Sequence, residues 1–391
     1  MATTSPAVAR STVVGSLLRP EYLFEARRAV RRGEASADDV RAAEERAVLE
    51  AIEVQQAAGI EVISDGEMRR PSWVVTIPLQ EGSFRAPLAG FEYLPADPGW
   101  WALWKEPTGE KVDLDRWLGS TIARQPFVTA PLRVVRDLAQ DEYGFLARNA
   151  VARTKFTVPA PSWHRIFWHE DHSRAAYPTS DDLIAAVADY LRTELVPSLR
   201  ALGCDYIQMD APNYAQWHID LDNRAAFEAA GHDAAHELEA DVEFDNSVFD
   251  GVEGITRAIH ICRGNAPEGR FLASGGYEAI SRQVFPRLSN YDTLLLEYDT
   301  DRAGGFEPLD DVLEHHSVVL GLVTTKAAKL EADDVVENRV RQASRYVPLD
   351  RLALSPQCGF ASGATAHTMT LDEQAAKLHL IGRVARTIWG G

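Results

Sequence analysis

Short runs of apolar, β-branched-rich sequence alternate along this chain with longer amphipathic segments. In the segment before the second run, apolar residues recur with helical spacing at Val40, Ala43, Ala47, Val48 and Ala51. Such alternation is typical of a parallel sheet with helical crossovers. Eight runs are predicted to be strands: 12–16, 60–66, 153–159, 205–210, 257–262, 293–297, 317–323 and 352–356. This pattern predicts an α/β protein built as a closed (β/α)8 TIM barrel.

Polar residues at the segment ends support the predicted helices. Ser36 and Asp39 have the spacing of a capping box, and Gly59 supplies a stop signal before the second strand. Thr179 and Asp182 repeat the capping box further along the chain. We therefore expect helices to begin at both positions.

Two stretches interrupt the alternation, at about 83–149 and 217–254, and both are too long for simple barrel connections. We expect them to be insertions at the barrel mouth, within one catalytic unit that spans residues 1–391. Tryptophans are concentrated in the first stretch and either line a substrate pocket or pack the insertion onto the barrel. These residues are Trp100, Trp101, Trp104 and Trp117.

The amino-acid composition argues against some classes of binding partner. The chain of 391 residues has 58 acidic and 40 basic side chains, for a formal charge of −18, which repels nucleic-acid phosphates and anionic membrane surfaces. Neither a signal-peptide h-region nor an apolar run of about 18 residues is evident. Its 3 cysteines argue against a disulfide framework and for reduced thiols with specific roles. We expect a cytoplasmic protein that binds neither nucleic acid nor membrane.

Potential metal ligands stand at the ends of three predicted strands. His260 and Cys262 are two residues apart, so period-two alternation turns both side chains the same way. Glu297 ends the sixth run and Cys358 follows the eighth. The carboxyl ends of barrel strands converge on one face, and two thiolates, one imidazole and one carboxylate suit tetrahedral zinc. Cys204, at a strand start, is expected to be a buried inert thiol.

Each of these residues taken singly also has a structural interpretation, because buried cysteines and strand-end histidines are common in protein cores. Their convergence on one rim favours the metal site. Zinc with several anionic ligands is suited to holding a thiol as thiolate near neutral pH, and the thiolate is the form that attacks carbon. The sequence therefore predicts thiol alkylation.

Seven motifs spread over nearly the whole chain carry a family resemblance. They are VGSLLRP at 14–20, SDGEMRR at 64–70, IQMD at 207–210, HICRGN at 260–265, LEYD at 296–299, LGLVTTK at 320–326 and LSPQCG at 354–359. Together they resemble the catalytic C-terminal barrel of the cobalamin-independent methionine synthase superfamily.

The resemblance implies roles for individual residues. The zinc ligands of that family correspond to His260, Cys262, Glu297 and Cys358. Its residues for the amino-acid part of homocysteine correspond to Ser16, Glu67 and Asp210. Two carboxylates suit an ammonium group, and a hydroxyl or backbone amide suits a carboxylate. The structural alternative for Glu67 and Asp210 is ion pairing with Arg69 or Arg70.

The chain also departs from the family pattern. The long synthases have an additional N-terminal barrel that helps to bind folate, and this chain is expected to lack it. Lys326 stands where those enzymes have a catalytic His, and Ala211 follows Asp210 in place of an acidic residue. These departures look like the short, stand-alone branch of the superfamily and weaken the case for folate as donor. Lys326 and Arg263 are expected to stabilise charge at the mouth.

The leading hypothesis is a zinc-dependent S-methyltransferase that acts on homocysteine or a similar thiol. Its expected partners are that small-molecule thiol and a methyl or alkyl donor, which is folate, a methylcorrinoid or another small molecule. One alternative is another zinc-thiolate alkyl transfer, such as opening an epoxide with a coenzyme M-like thiol. A third is a non-catalytic zinc- or methionine-binding protein. A homo-oligomer is left open.

Overall fold

A parallel sheet forms the centre of the computed structural model, which describes residues 8–78, 86–95, 105, 108–111, 124–265, 269–361 and 369–390. The four tryptophans of the predicted aromatic cluster lie outside these residues. The strands, in chain order, are β1 (Val62–Ile63), β2 (Leu88–Pro95), β3 (Arg124–Val134), β4 (Arg153–Thr154), β5 (Phe156–Pro159), β6 (Tyr206–Asp210), β7 (Thr256–Ile261), β8 (Thr293–Glu297), β9 (Ser317–Val323) and β10 (Leu352–Pro356).

Parallel pairings link eight of these strands in a ring, which β2 and β3 do not join. A six-stranded sheet runs in the order β5-β6-β7-β8-β9-β10, and β1 pairs with β4 beside it. Two parallel bridges, Ser11 to Leu354 and Thr12 to Val62, connect β10 back to β1. The architecture is that of the predicted TIM barrel, with the carboxyl ends of all these strands on one face.

The first two predicted strands are shorter than expected. Run 12–16 contributes only isolated bridges, and run 60–66 contains only β1 as regular strand. The Ser64 hydroxyl donates to Gly15 O at 2.7 Å and accepts from Gly66 N at 3.1 Å. These side-chain bonds replace ladder bonds beyond Ile63 and turn both segments into loops at the mouth.

Helices surround the barrel and begin where the polar signals predict. Ser36 and Thr179 each form a capping box, with Asp39 and Asp182 respectively, and Gly59 ends the first of these helices with φ of 76°. The α-helices are Glu21–Arg31, Ala37–Ala58, Gly144–Asn149, Glu170–Ser173, Ser180–Tyr190, Val196–Ala201, Asn213–His218, Leu221–Ala229, Ala234–Ser247, Ser281–Val284, Asp333–Ala343 and Leu371–Trp389. Short 3-10 segments are Pro161–Phe167, Tyr277–Ala279, Phe285–Arg287, Asp301–Ala303, Glu307–Asp311 and Leu349–Arg351, and π-helical turns are Ala139–Tyr143 and Leu191–Leu195.

The two long interruptions contain regular structure. In the first, β2 and β3 form an antiparallel hairpin. In the second, helix Ala234–Ser247 places Asp245 against the loops that follow β5 and β6. Asp245 accepts hydrogen bonds from the Ser162 hydroxyl and the Tyr214 hydroxyl, both at 2.7 Å. Buried charge-assisted bonds of this kind fix the helix over the carboxyl ends of those strands.

The main core lies between the sheet and the surrounding helices. Side chains such as Ile207, Leu294 and Leu320 are fully buried there with the apolar faces of the helices. Among the described residues, no helix is long and apolar enough to cross a membrane. The apolar side chains on the outer face of the sheet pack against the helices, and the polar residues at the carboxyl ends of the strands lie at the barrel mouth.

Candidate metal centre and thiol site

The four predicted metal ligands converge in the structure. One ligand atom from each of His260, Cys262, Glu297 and Cys358 lies within 4.8 Å of the other three. His260 lies in β7, Cys262 follows that strand, Glu297 ends β8 and Cys358 follows β10. Parallel pairing in the barrel therefore brings together residues that are up to 98 positions apart in the sequence, 260 to 358.

His260 is oriented so that one ring nitrogen is available. Its Nδ1 lies 3.2 Å from Leu295 O, a carbonyl that only accepts, so Nδ1 carries the proton. Its Nε2 is buried and has no hydrogen-bond partner within the described structure. A backbone carbonyl that fixes the tautomer through Nδ1, together with an Nε2 lone pair that makes no hydrogen bond, is typical of a metal-ligating histidine.

Both thiols at the centre are reduced. The Sγ atoms of Cys262 and Cys358 are 3.5 Å apart, and both cysteines are free. The hydrogen bond from Cys262 lowers the pKa of Cys358 to about 6, and the same bond raises the pKa of Cys262. One proton is thus shared by the pair, and a bound cation is what would ionise both thiols.

Glu297 is held by a residue that the sequence analysis did not identify. Gln357 donates through Nε2 to Glu297 Oε1 at 3.0 Å, and its own Oε1 accepts from the Thr325 hydroxyl at 2.9 Å. Arg263 N lies 3.3 Å from the other carboxylate oxygen. Burial raises the pKa of Glu297. The position of Gln357 beside Cys358 in the chain was a signal for such a role.

The donor set fits zinc. Zinc–sulfur bonds of about 2.3 Å in a tetrahedral site put two thiolate sulfurs about 3.8 Å apart, close to the 3.5 Å between these Sγ atoms. Mixed nitrogen, sulfur and oxygen ligands also favour zinc over the harder cations. His260 Nε2 has no hydrogen-bond partner among the described residues. Together with the two cysteine sulfurs it makes three strong ligands, and Glu297 adds one carboxylate.

Glu67 has an unsatisfied carboxylate oxygen at the same mouth. Its Oε1 accepts from the Thr157 hydroxyl at 2.9 Å, whereas its Oε2 is buried without a partner among the described residues. Its backbone has φ of 56°, a conformation that non-glycine residues rarely adopt. Backbone strain of this kind is typical of functional sites.

The alternative of structural ion pairing applies only in part to Glu67. Arg70 lies 3.4 Å from Glu67 Oε1 but makes its shorter contact, 2.7 Å, with Glu142. Arg69 has its ion pair with Glu45 at 3.8 Å. The second oxygen of Glu67 is therefore left for another donor.

Asp210 is connected to a buried lysine inside the barrel. Gln208 donates to Asp210 Oδ1 at 2.6 Å and accepts from Lys155 Nζ at 2.6 Å, and Lys155 also donates to Val13 O. Burial and the nearby Glu67 charge raise the pKa of Asp210 to about 7, and burial lowers the pKa of Lys155 to about 7. Lys155 was missed, although a lysine inside a buried strand is a signal in the sequence.

Ser16 lies against the loop that carries Cys358. Its hydroxyl accepts from Ala361 N at 3.3 Å, and its carbonyl accepts from Phe360 N at 2.8 Å. A side chain on Gly359 would collide with the Ser16 hydroxyl, so glycine is needed at this close approach. The predicted amino-acid-binding residue thus adjoins a predicted metal ligand.

Lys326 and Arg263 occupy different environments. Lys326 Nζ lies 3.3 Å from Asp299 Oδ2, near the end of β8. Arg263 stacks over Tyr277, with 4.3 Å from Cζ to the ring centroid, and donates to the carbonyls of Gly275 and Ala303. The Arg263 guanidinium therefore braces the loops around the centre, and Lys326 is the cation closer to solvent.

Comparison with known proteins relates the chain to a protein family. A family model described as "Cobalamin-independent synthase, Catalytic domain" matches residues 284–386. The uncharacterized protein YxjH of Bacillus subtilis is 32% identical, over 97% of this chain and 94% of the relative. A methionine synthase of Sulfurisphaera tokodaii is 23% identical, over 89% of this chain and 85% of the relative.

Solved structures share the fold. A Listeria monocytogenes protein assigned as a vitamin-B12-independent methionine synthase aligns with a TM-score of 0.69 at 23% identity, over 99% of this chain and 100% of that one. A B12-independent methionine synthase from Shewanella, solved in complex with selenomethionine, aligns with a TM-score of 0.67 at 20% identity, covering 98% of each chain.

Proposed function

The chain belongs to the cobalamin-independent methionine synthase superfamily, and on that premise we propose that it is a zinc-dependent S-methyltransferase. Its acceptor is the thiol of homocysteine or a closely similar amino acid. The observation that carries this proposal is the convergence of His260, Cys262, Glu297 and Cys358 within 4.8 Å, where His260 Nε2 has no hydrogen-bond partner among the described residues.

Each ligand has a defined contribution. When zinc is bound, it supplies the positive charge that keeps a substrate thiol deprotonated at neutral pH. Leu295 O fixes His260 through Nδ1, so that Nε2 would be the atom that holds the ion, and Gln357 fixes Glu297. The two cysteine sulfurs and the carboxylate donate negative charge, which preserves the nucleophilicity of the substrate sulfur.

The amino-acid part of the thiol substrate is assigned to Ser16, Glu67 and Asp210. The free Oε2 of Glu67 and the carboxylate of Asp210 suit the substrate ammonium group, and the Ser16 hydroxyl suits its carboxylate. This set supports an amino-acid thiol over a coenzyme M-like sulfonate, because two carboxylates would repel a sulfonate. The selenomethionine complex of the Shewanella relative is consistent with this choice.

The second substrate is an alkyl donor that meets the thiol at the mouth. Lys326, paired with Asp299 at 3.3 Å, is proposed to stabilise charge on the departing group. Arg263 is proposed to act by holding the loops around the centre, since its guanidinium is engaged by carbonyls. We also propose the cytoplasm as location, because chemistry that depends on two free thiols suits a reducing compartment.

Replacing one thiol ligand tests the proposal. We expect Cys358→Ser to lower the zinc content and to reduce methylation of homocysteine by at least about 100-fold, because hydroxyl is a poor zinc ligand. The matched control is Cys204→Ala, which alters a buried cysteine at the opposite end of the barrel. A Cys358→Ser enzyme that is metal-free and fully active would contradict the proposal.

A further inference from the structure

Arg302 follows β8 at the carboxyl end of the barrel and is fixed by its neighbours. It lies in the 3-10 segment Asp301–Ala303. Its carbonyl accepts from Gly275 N and from Arg263 Nη1, both at 3.3 Å. Backbone bonds to a neighbouring loop and to a buried arginine hold this residue at a defined position near the metal centre.

One face of the Arg302 side chain is covered by an aromatic ring. Its Cζ lies 3.8 Å from the ring centroid of Phe271. Phe271 is itself buried and forms backbone bridges with Asn265 and with Lys105. Because a ring occupies one face of the guanidinium plane, the N–H groups along its edge are the groups available for hydrogen bonding.

Arg302 has no counter-ion in the described part of the chain. Its Nε is buried without a hydrogen-bond partner, and no carboxylate of the described residues lies within salt-bridge distance. The two carboxylates whose charges act on Arg302 are engaged elsewhere, Asp299 with Lys326 and Glu297 with Gln357. A buried N–H left without a partner costs free energy, which an incoming acceptor would recover.

Packing places this cation beside the segment that carries Cys262. Arg263 Nη1 donates to the Arg302 carbonyl at 3.3 Å, and Phe271, which stacks on Arg302, forms a backbone bridge with Asn265. Burial lowers the pKa of Arg302, but a guanidinium remains protonated at neutral pH. A positive charge without a counter-ion among the described residues thus lies next to this segment.

We propose that Arg302, stacked on Phe271, binds a carboxylate of the alkyl donor and thereby selects carboxylate-bearing donors. This inference rests on the proposed function, in which the carboxylate of the amino-acid thiol is assigned to Ser16. The edge of an arginine offers two parallel N–H groups to the two oxygens of a carboxylate, a geometry that adds specificity as well as affinity. The part of the donor that binds beside Arg302 and Phe271 is therefore anionic.

Matched electrophiles test this selectivity without knowledge of the physiological donor. Zinc-loaded enzyme with L-homocysteine is offered 3-iodopropanoate or its neutral amide, 3-iodopropanamide. In either reaction the homocysteine sulfur forms a bond to C3, the carbon–iodine bond breaks with iodide leaving, and the thiol proton passes to water. Mass spectrometry measures both products. The rate with 3-iodopropanoate is divided by the rate with 3-iodopropanamide, and this acid-to-amide ratio is then divided by the same ratio for homocysteine without enzyme.

We expect the wild-type enzyme to favour the carboxylate by at least about tenfold, roughly the contribution of one charge-assisted contact. Arg302→Gln should remove this preference, and Arg302→Lys should retain part of it. Arg46→Gln is the control, because Arg46 also stacks on an aromatic ring, Tyr22, at 4.1 Å but lies on the outer surface. An acid-to-amide ratio that is the same in wild type and Arg302→Gln overturns the inference.

Equilibrium binding separates this inference from the proposed function. If neither reagent reacts faster with the enzyme than with free homocysteine, the proposed function fails, and titration with glutarate and its neutral diamide still tests Arg302. Glutarate that binds about tenfold more weakly to Arg302→Gln than to wild type, with the diamide unaffected, supports the inference. Equal glutarate affinity for both proteins overturns it.

Discussion

Lys155 and Asp210 form a buried pair connected through Gln208, and we expect their charges to set how an amino acid binds. Asp210 must be ionised to accept a substrate ammonium group. Burial raises its pKa to about 7, and the charge of Lys155 opposes this rise. The carboxylate of Asp210 is therefore available above neutral pH and is lost as the pH falls through about 7.

L-Methionine, which has no ionisable thiol, reports this titration directly. We expect its affinity to increase as the pH rises through about 7, because Asp210 then becomes ionised. Lys155→Met should move the increase to higher pH, and the exposed Lys329→Met should not. Calorimetric titrations between about pH 5.5 and about pH 8.5 measure the effect. Affinity that is independent of pH in the wild type would exclude this role for Asp210.

Gln357 orients Glu297, a proposed metal ligand, so its loss should weaken the proposed metal site without removing any ligand. We expect Gln357→Met to reduce zinc affinity by about 10–100-fold, the range typical of changes in residues that hydrogen-bond to a metal ligand. Competition with a chromophoric zinc chelator measures this affinity. Gln55→Met is the control, because Gln55 is equally buried but bonds to Ser64 and Ala51. Equal zinc affinity in both variants would argue against the role of Gln357.

At the scale of single residues, the sequence predicted which candidate ligands come together better than it predicted the residues that support them. His260, Cys262, Glu297 and Cys358 were predictable because strand ends converge in a barrel. The contacts of Gln357 and Lys155 were not predictable, because a hydrogen bond between side chains depends on strand register and rotamer, which periodicity does not specify. Arg302 was missed for a similar reason, since the absence of a counter-ion is visible only in three dimensions.

Helix ends were the most predictable local elements. The Ser36 hydroxyl accepts from Asp39 N at 3.2 Å, and Asp39 Oδ2 accepts from Ser36 N at 2.8 Å. Both bonds satisfy backbone groups within a few positions of each other, so sequence spacing alone specifies them. Strand lengths were less predictable, because Ser64 diverts backbone bonds from the ladder at the end of β1.

The capping box of helix Ala37–Ala58 offers a test at this scale. We expect Ser36→Ala to lower the free energy of unfolding by about 1 kcal/mol, because it leaves a helix N–H without its acceptor. Asp39→Ala should have a similar effect, and the double variant should lose less than the sum of the two. Denaturant unfolding measures these values, with the exposed Asp38→Ala as control. Strictly additive losses would show that the two bonds are independent.

For the molecule as a whole, the number and order of strands predicted the barrel, because alternating strands and helices have few ways to bury their apolar faces. The two long interruptions were located by length alone. Their hairpin and helices were not predictable, since contacts such as that of Asp245 with Ser162 join segments 83 residues apart.

The central claim is that one zinc at this centre binds the substrate thiol. Zinc analysis combined with zinc-edge X-ray absorption, on the purified protein with and without L-homocysteine, tests it most directly. The account predicts about one zinc per chain, bound by two sulfurs with nitrogen and oxygen, and one further sulfur ligand when homocysteine is present. A zinc shell that is unchanged by homocysteine, or a protein that binds no zinc, would contradict the claim.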